Sequence, residues 1–223
     1  MFKRPHHQRI HTLLRNLDSD LLTQCQCYFA GGTAIVLLLD EYRESVDVDF
    51  LCASSAGYRQ LRSLVFDRGL TALMRKPVKL LRDVRADRYG IRTFVEVDHV
   101  PIKFEIVQEG RIALEGNLDP QLGVPVLSRS DMYAEKLLAN ADRYNDIATA
   151  SRDIIDLAMM INQWGPIPQA AWQKVRQAYG ESAEKAYGKA IDLMSDAGYL
   201  SECLNKMQMD QQRSAQILAA FKD

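Results

Sequence analysis

The sequence predicts an α+β protein, with a mixed-sheet front half and a helical bundle behind it. Three observations lead there. Val46-Asp47-Val48-Asp49-Phe50 and the runs between Val84 and Val107 alternate apolar and polar residues with the period of a strand. From Ser128 onward every segment shows the three- and four-residue spacing of an amphipathic helix instead. The 223 residues, 47% apolar with seven Pro and twelve Gly, have the composition of an ordinary folded chain, and that length can bury roughly 70% of the unfolded surface.

In chain order, Ile10, Leu13, Leu14, Leu17, Leu21 and Leu22 line one face of a first helix over Gln8 to Leu22. Tyr28 to Ala30 reads as a short strand, Gly31-Gly32-Thr33 as the turn after it, and Ala34 to Leu39 as a compact apolar helix. Val46 to Phe50 is a strand whose apolar side chains face one way and whose two aspartates face the other. Ala56 to Leu70 is amphipathic helix, and breaks at Tyr89-Gly90 and Asp98-His99 mark antiparallel strands joined by tight turns. Ser128 or Ser130 can cap a helix reaching about Arg143. Further helices are expected over Ser151 to Gln163, Gln169 to Tyr179, Ser182 to Asp196 and Ser201 to the end, separated by Gly165-Pro166, Gly180 and Gly198. Two domains are therefore expected, residues 1–127 and 128–223.

A formal charge of −1 excludes a protein that acts by coating nucleic acid or anionic membrane with a basic surface. Cys25, Cys27, Cys52 and Cys203 lack paired C-x-x-C spacing and read as reduced, packed thiols. His6, His7 and His11 have no carboxylate or cysteine at ligand spacing and read as surface residues. Lys3, Arg4 and Arg9 are not followed by the apolar core of a signal peptide, and the longest apolar runs fall far short of the ~20 residues a membrane helix needs. The expectation is a cytoplasmic protein with no membrane partner.

Two residues apart on one strand, Asp47 and Asp49 place their carboxylates on one face about 6 to 7 Å apart at the backbone, a spacing that can grip a hard divalent cation. Alternatively, both simply face solvent. Between Pro101 and Val107, Ile102, Phe104 and Ile106 share one face and leave Lys103 and Glu105 on the other; if this strand neighbours the first, Glu105 completes a three-carboxylate site. Gly31-Gly32-Thr33 offers backbone N–H groups at a helix N-terminus, where a phosphate is favoured, although Thr33 could equally be a helix cap in a plain turn. Arg75, Lys76, Lys79, Arg82, Arg85, Arg88 and Arg92 form the one concentrated basic stretch, suited to an RNA backbone or to a solvated, self-paired strand face. Lys136 and Arg143 share a helix face, as do Asp153 and Asp156 on the next helix; these faces either serve chemistry or form an interhelical ion-pair network. Asp156, flanked by Ile155 and Leu157, reads as the more structural of the two acids.

Tyr28-Phe29-Ala30-Gly31-Gly32-Thr33-Ala34, followed by Arg43-Glu44-Ser45-Val46-Asp47-Val48-Asp49-Phe50, resembles the AbiEii/AbiGii toxin family of nucleotidyltransferases, with its G-G-[ST]-A turn and R-x-S-x-D-x-D-F strand. Glu135-Lys136-Leu137-Leu138-Ala139 with Arg143, and Arg152-Asp153-Ile154-Ile155-Asp156-Leu157, are similar to that family's E-K-L-x-A and R-D-x-x-D-L helices. The resemblance implies a DNA polymerase β-like nucleotidyltransferase core, a helical domain that completes the active site, and an NTP used with Mg²⁺ or Mn²⁺. It further implies that Gly31, Gly32, Thr33, Arg43 and Ser45 bind the nucleotide, that Asp47 and Asp49 bind metal with Glu105 as the third acid, that Lys136 faces the triphosphate, and that Asp153 supports the site. RNA is the expected acceptor, with the tRNA 3′ end favoured, and a cognate antitoxin is a possible partner. The alternatives are transfer to a protein hydroxyl, a catalytically silent nucleotide- or antitoxin-binding module, and an antibiotic-modifying enzyme, the last disfavoured by the basic stretch.

Overall fold

A computed structural model describes residues 2–222. It divides into two compact units, Met1–Ala34 with Val46–Ser128, and Ile35–Ser45 with Arg129–Asp223. Residues 35–45, placed by sequence in the front half, thus belong with the helical unit.

The first unit opens with α1 (Pro5–Asn16) and α2 (Ser19–Gln24), where the apolar spacing predicts one continuous helix. The break has a local cause. Leu17 leaves the helix to bridge Met74, and the Asp18 carboxylate caps α2 by accepting from the backbone N–H groups of Asp20 and Leu21. Strand β1 (Cys27–Ala30) then runs directly into α3 (Gly31–Leu38), so the two glycines are the first residues of the helix rather than a separate turn. Next come β2 (Val48–Cys52), α4 (Ser55–Arg68), β3 (Lys79–Leu80), β4 (Arg85–Ala86), β5 (Ile91–Val97), β6 (Val100–Gln108), β7 (Gly116–Asp119) and β8 (Val124–Leu127). β2 begins two residues later than the alternation suggests. Val46 is 48% exposed instead of facing the core, and Asp47 precedes the strand.

These strands form one mixed sheet in the order β3-β5-β6-β2-β1-β8-β7, with β4 also paired to β5. β5 and β6 are joined by Asp98-His99, both at positive φ, as a tight hairpin requires. On one sheet face Val48, Phe50 and Cys52 of β2 and Ile102, Phe104 and Ile106 of β6 are fully buried. Phe50 lies between Phe29 and Phe104, with ring centroids 5.4 and 6.0 Å away. Burying each such ring contributes roughly 1.5–3 kcal/mol, and this fixes the register that puts Asp49, Lys103 and Glu105 on the opposite face. All four cysteines are free and buried, as expected of packed thiols. His7 is the exception among the histidines expected at the surface, for it is fully buried.

The second unit contains α5 (Arg129–Arg143), α6 (Arg152–Trp164), α7 (Gln169–Tyr179), α8 (Ser182–Met194), α9 (Ala197–Lys206) and α10 (Ser214–Ala219), with α5 packed against α6, α7 and α8. Gly198 does not separate helices: the Asp196 carboxylate caps α9 from outside by accepting from the N–H groups of Gly198 and Tyr199. The expected terminal helix from Ser201 is instead the end of α9 followed by α10. Among the described residues no helix is long and apolar enough to cross a membrane.

Candidate functional site

β2 lies beside β6 in parallel register with Asp49 opposite Glu105, and β5 lies on the far side of β6 with Arg92 opposite Glu105. One row of charged side chains therefore crosses the sheet: Asp49, Glu105, Arg92. Both Glu105 oxygens are engaged, Oε1 by the Arg92 guanidinium and Oε2 by Lys103 Nζ at 2.7 Å. Burial pushes the Glu105 carboxyl up, but the hydrogen bonds and charges of Lys103 and Arg92 prevail and hold it below its ordinary value. Burial likewise opposes the charge on Lys103, and Glu105, Asp49 and Asp47 outweigh it, raising the ammonium above its ordinary value. Lys103 is thus within electrostatic reach of both aspartates.

Gly31 opens α3 at φ +72°, and a Cβ built there would stand 3.2 Å from Asp49 Oδ2. A side chain at this position would meet both backbone strain and the carboxylate. The first N–H groups of α3, which have no partner four residues back within the helix, therefore begin beside Asp49. Gly32 and Thr33 continue that first turn, with Thr33 buried.

Asp47 and Asp49 offer hard oxygen donors that fit a divalent cation. Mg²⁺ is commonly held by only one or two carboxylates, with phosphates and water completing its sphere. Among the described residues no group of three His, Cys, Asp or Glu is arranged to hold a metal ion, in keeping with the engagement of Glu105 by two cations.

In the helical unit the expected facing of α5 and α6 is present. Lys136 Nζ lies 2.9 Å from Asp153 Oδ1 and 2.7 Å from Asp156 Oδ2. Arg143 Nε donates to Asp153 Oδ2 at 2.7 Å. Arg43 donates to both oxygens of Asp156, at 2.7 and 2.9 Å, and Tyr42 donates to Oδ1 at 2.5 Å. Asp156 has no solvent exposure, and Arg43 and Lys136 have almost none. Burial pushes Asp156 up, yet the charges of Arg43 and Lys136 hold it well below the usual carboxylate range. Asp153 is held low in the same way, by Lys136 and Arg143 against burial. Three cations thus meet two carboxylates, and the charge of Asp142 also acts on Arg143. Arg43, expected at the nucleotide, is fixed inside this network, where its remaining nitrogen donates to the Glu44 carbonyl at 2.8 Å. Ser45 lies on the same segment, half-buried.

The sequence singles out neither Tyr42 nor the pairing of Arg92 with Glu105. Tyr42 adjoins the R-x-S-x-D-x-D-F motif, which was the available signal; the Arg92 pairing depends on strand register. Within the basic stretch Lys79 pairs with Glu96 and Arg85 with Asp87, while Arg82 lies over the Phe94 ring.

The fold is similar to that of a Helicobacter pylori protein described as a candidate nucleotidyltransferase, at 17% identity, 96% of this chain, 91% of that one and TM-score 0.57. It is also similar to JHP933 from Helicobacter pylori (15% identity, 99% and 91% of the two chains, TM-score 0.54). A third likeness is to an antigenic nucleotidyltransferase-like protein from Paracoccidioides brasiliensis (14% identity, 89% and 93%, TM-score 0.54). At these identities the likeness establishes a nucleotidyltransferase fold. No curated protein matches the chain in sequence. The family model described as nucleotidyl transferase AbiEii toxin, type IV toxin–antitoxin system, matches residues 12–220. The chain belongs to the AbiEii toxin family and is a nucleotidyltransferase.

Proposed function

We propose that this toxin-family enzyme transfers a nucleotide from an NTP to RNA, with the tRNA 3′ end as first choice, in a reaction that depends on Mg²⁺ or Mn²⁺. The supporting observation is the close approach of the α3 N-terminus to Asp49, because phosphate-binding N–H groups and a metal-binding carboxylate then serve one triphosphate.

Asp47 and Asp49 would hold the divalent cation, which when bound neutralises charge on the triphosphate as pyrophosphate leaves. The N–H groups of Gly31, Gly32 and Thr33 donate to phosphate oxygens and orient the chain of phosphates. The acceptor hydroxyl forms a new P–O bond at the α-phosphorus, the bond to pyrophosphate breaks, and the hydroxyl proton is released. In the helical unit, Arg43 acts as a positioning residue through Asp156. Lys136, supported by Asp153, would face the triphosphate. We assign RNA as acceptor on the basic stretch, where Arg75, Lys76, Arg82 and Arg88 are exposed and form no ion pair with an acid among the described residues. A cognate antitoxin is the partner that the toxin–antitoxin assignment implies.

The test is to incubate the chain with each α-labelled NTP, Mg²⁺, total RNA and total cell protein, and then to separate the fractions. Label in RNA supports the assignment; label in protein alone transfers the function to protein nucleotidylation.

A further inference from the structure

We propose that Lys103 is a nucleotide-phosphate ligand, and that Glu105 acts by holding Lys103 beside Asp47 and Asp49 rather than by binding metal. The proposal rests on the assignment of those two aspartates as the metal carboxylates.

Geometry carries it. Register places Glu105 next to Asp49, where a third metal ligand would be expected, but each Glu105 oxygen already accepts from a cation, Oε1 from Arg92 and Oε2 from Lys103. A carboxylate oxygen can accept twice, so what opposes a metal on Glu105 is the pair of cations, Arg92 and Lys103, already held against it. Arg92 is itself anchored, donating to the Tyr89 carbonyl at 3.0 Å, so Arg92, Glu105 and Lys103 form a chain that ends at the ammonium. Register puts Lys103, one residue before the Phe104–Val48 pair, level with Asp47 and beside the Asp49–Glu105 pair, and the charges of both aspartates favour the ammonium. A metal held by these aspartates would bring phosphate oxygens beside them, and a cation next to both carboxylates would then be next to those phosphates. Electrostatics favour the same role. Three carboxylates on this face would repel a triphosphate, and Lys103, with its side chain 38% exposed, is a cation that can turn towards it.

A purely structural Lys103–Glu105 pair would be a partly exposed ion pair, which contributes little to stability and nothing to ligand binding. Binding therefore separates the two roles. The probes are Mn²⁺ alone, followed by electron paramagnetic resonance, and Mn²⁺ with inorganic tripolyphosphate, followed by calorimetry, each on the full chain with circular dichroism as the folding control. Lys103→Met is expected to tighten Mn²⁺ binding about threefold, by removing a competing charge, and to weaken tripolyphosphate binding about tenfold. Lys103→Arg should restore most of the phosphate binding. Glu105→Gln should leave Mn²⁺ affinity within about threefold of wild type, whereas Asp49→Asn should abolish it. Unchanged tripolyphosphate binding in Lys103→Met, or loss of Mn²⁺ in Glu105→Gln as complete as in Asp49→Asn, overturns the role of Lys103 while the aspartate site stands. Wild-type Mn²⁺ affinity in Asp49→Asn overturns the aspartate site and the proposal together.

Discussion

The Arg43 guanidinium grips both oxygens of Asp156, a residue 113 positions away in sequence, at 2.7 and 2.9 Å and out of reach of solvent. Lys136 meets the same carboxylate from α5, and what each group leaves unpaired ranks the cost of removing it. Asp156→Asn leaves Arg43 and Lys136 buried without their shared charge, and such an uncompensated site costs about 3–5 kcal/mol. Lys136→Met leaves Arg43 with Asp156 and Arg143 with Asp153 as balanced pairs, so its cost should be smaller, about 1–3 kcal/mol. Urea unfolding of the two variants checks the order; a larger loss in Lys136→Met contradicts this description of the network.

Acid should act through the same carboxylates. Asp153 and Asp156 titrate below the ordinary carboxylate value in the folded chain, so the unfolded chain takes up protons first. Their stabilisation is complete above about pH 5 and is lost progressively as pH falls through about 4 and below. Unfolding free energy measured from pH 7 to pH 3 should be level and then drop. The drop should be shallower in an Asp153→Asn, Asp156→Asn double variant, if that variant folds; in wild type, a decline already complete at pH 6 would point to other groups.

Asp47 and Asp49 present the opposite balance of stability and activity, because both lie off the apolar face of the sheet. Asp47→Asn or Asp49→Asn should lower nucleotide transfer about 100-fold or more while changing stability by no more than about 0.5 kcal/mol. Steady-state rates at saturating Mg²⁺, together with thermal melts, measure both. A fully active Asp49→Asn removes the carboxylate from the mechanism.

Much of this arrangement was legible in sequence because it depends on period and local order. Ile102, Phe104 and Ile106 announced a strand with Lys103 and Glu105 on its far face, and the spacing of Lys136, Arg143, Asp153 and Asp156 announced two facing helices. Pairing was less legible. Strand alternation could not show that Arg92 would stand opposite Glu105 and pair with the acid expected to be the third metal ligand. Nor could a motif reveal that Arg43 is buried on Asp156, since that depends on residues 35–45 joining the helical unit. The helix expected over Gln8 to Leu22 failed for a related reason: the long-range bridge from Leu17 to Met74 overrides local periodicity.

The basic stretch makes its own prediction for RNA. Lys79 and Arg85 are paired with acids, whereas Lys76, Arg82 and Arg88 form no such pair among the described residues, so the latter three are the better phosphate ligands. Reversing Lys76, Arg82 and Arg88 to Glu should weaken RNA binding and flatten its salt dependence by about 0.7 log units per log unit of salt for each phosphate that is no longer neutralised. Mn²⁺ binding should be retained. Fluorescence anisotropy with a labelled tRNA across a salt series gives the slope, and a slope equal to wild type assigns the stretch to a solvated face.

The central claim, transfer of a nucleotide to the 3′ end of RNA, is tested most directly by blocking that end. Periodate oxidation destroys the terminal ribose diol of tRNA and leaves the rest of the molecule as it was. With labelled NTP and Mg²⁺, untreated tRNA should acquire label at its 3′ end and oxidised tRNA should acquire none, with no label on either in Asp49→Asn. Equal labelling of oxidised and untreated tRNA would contradict the claim.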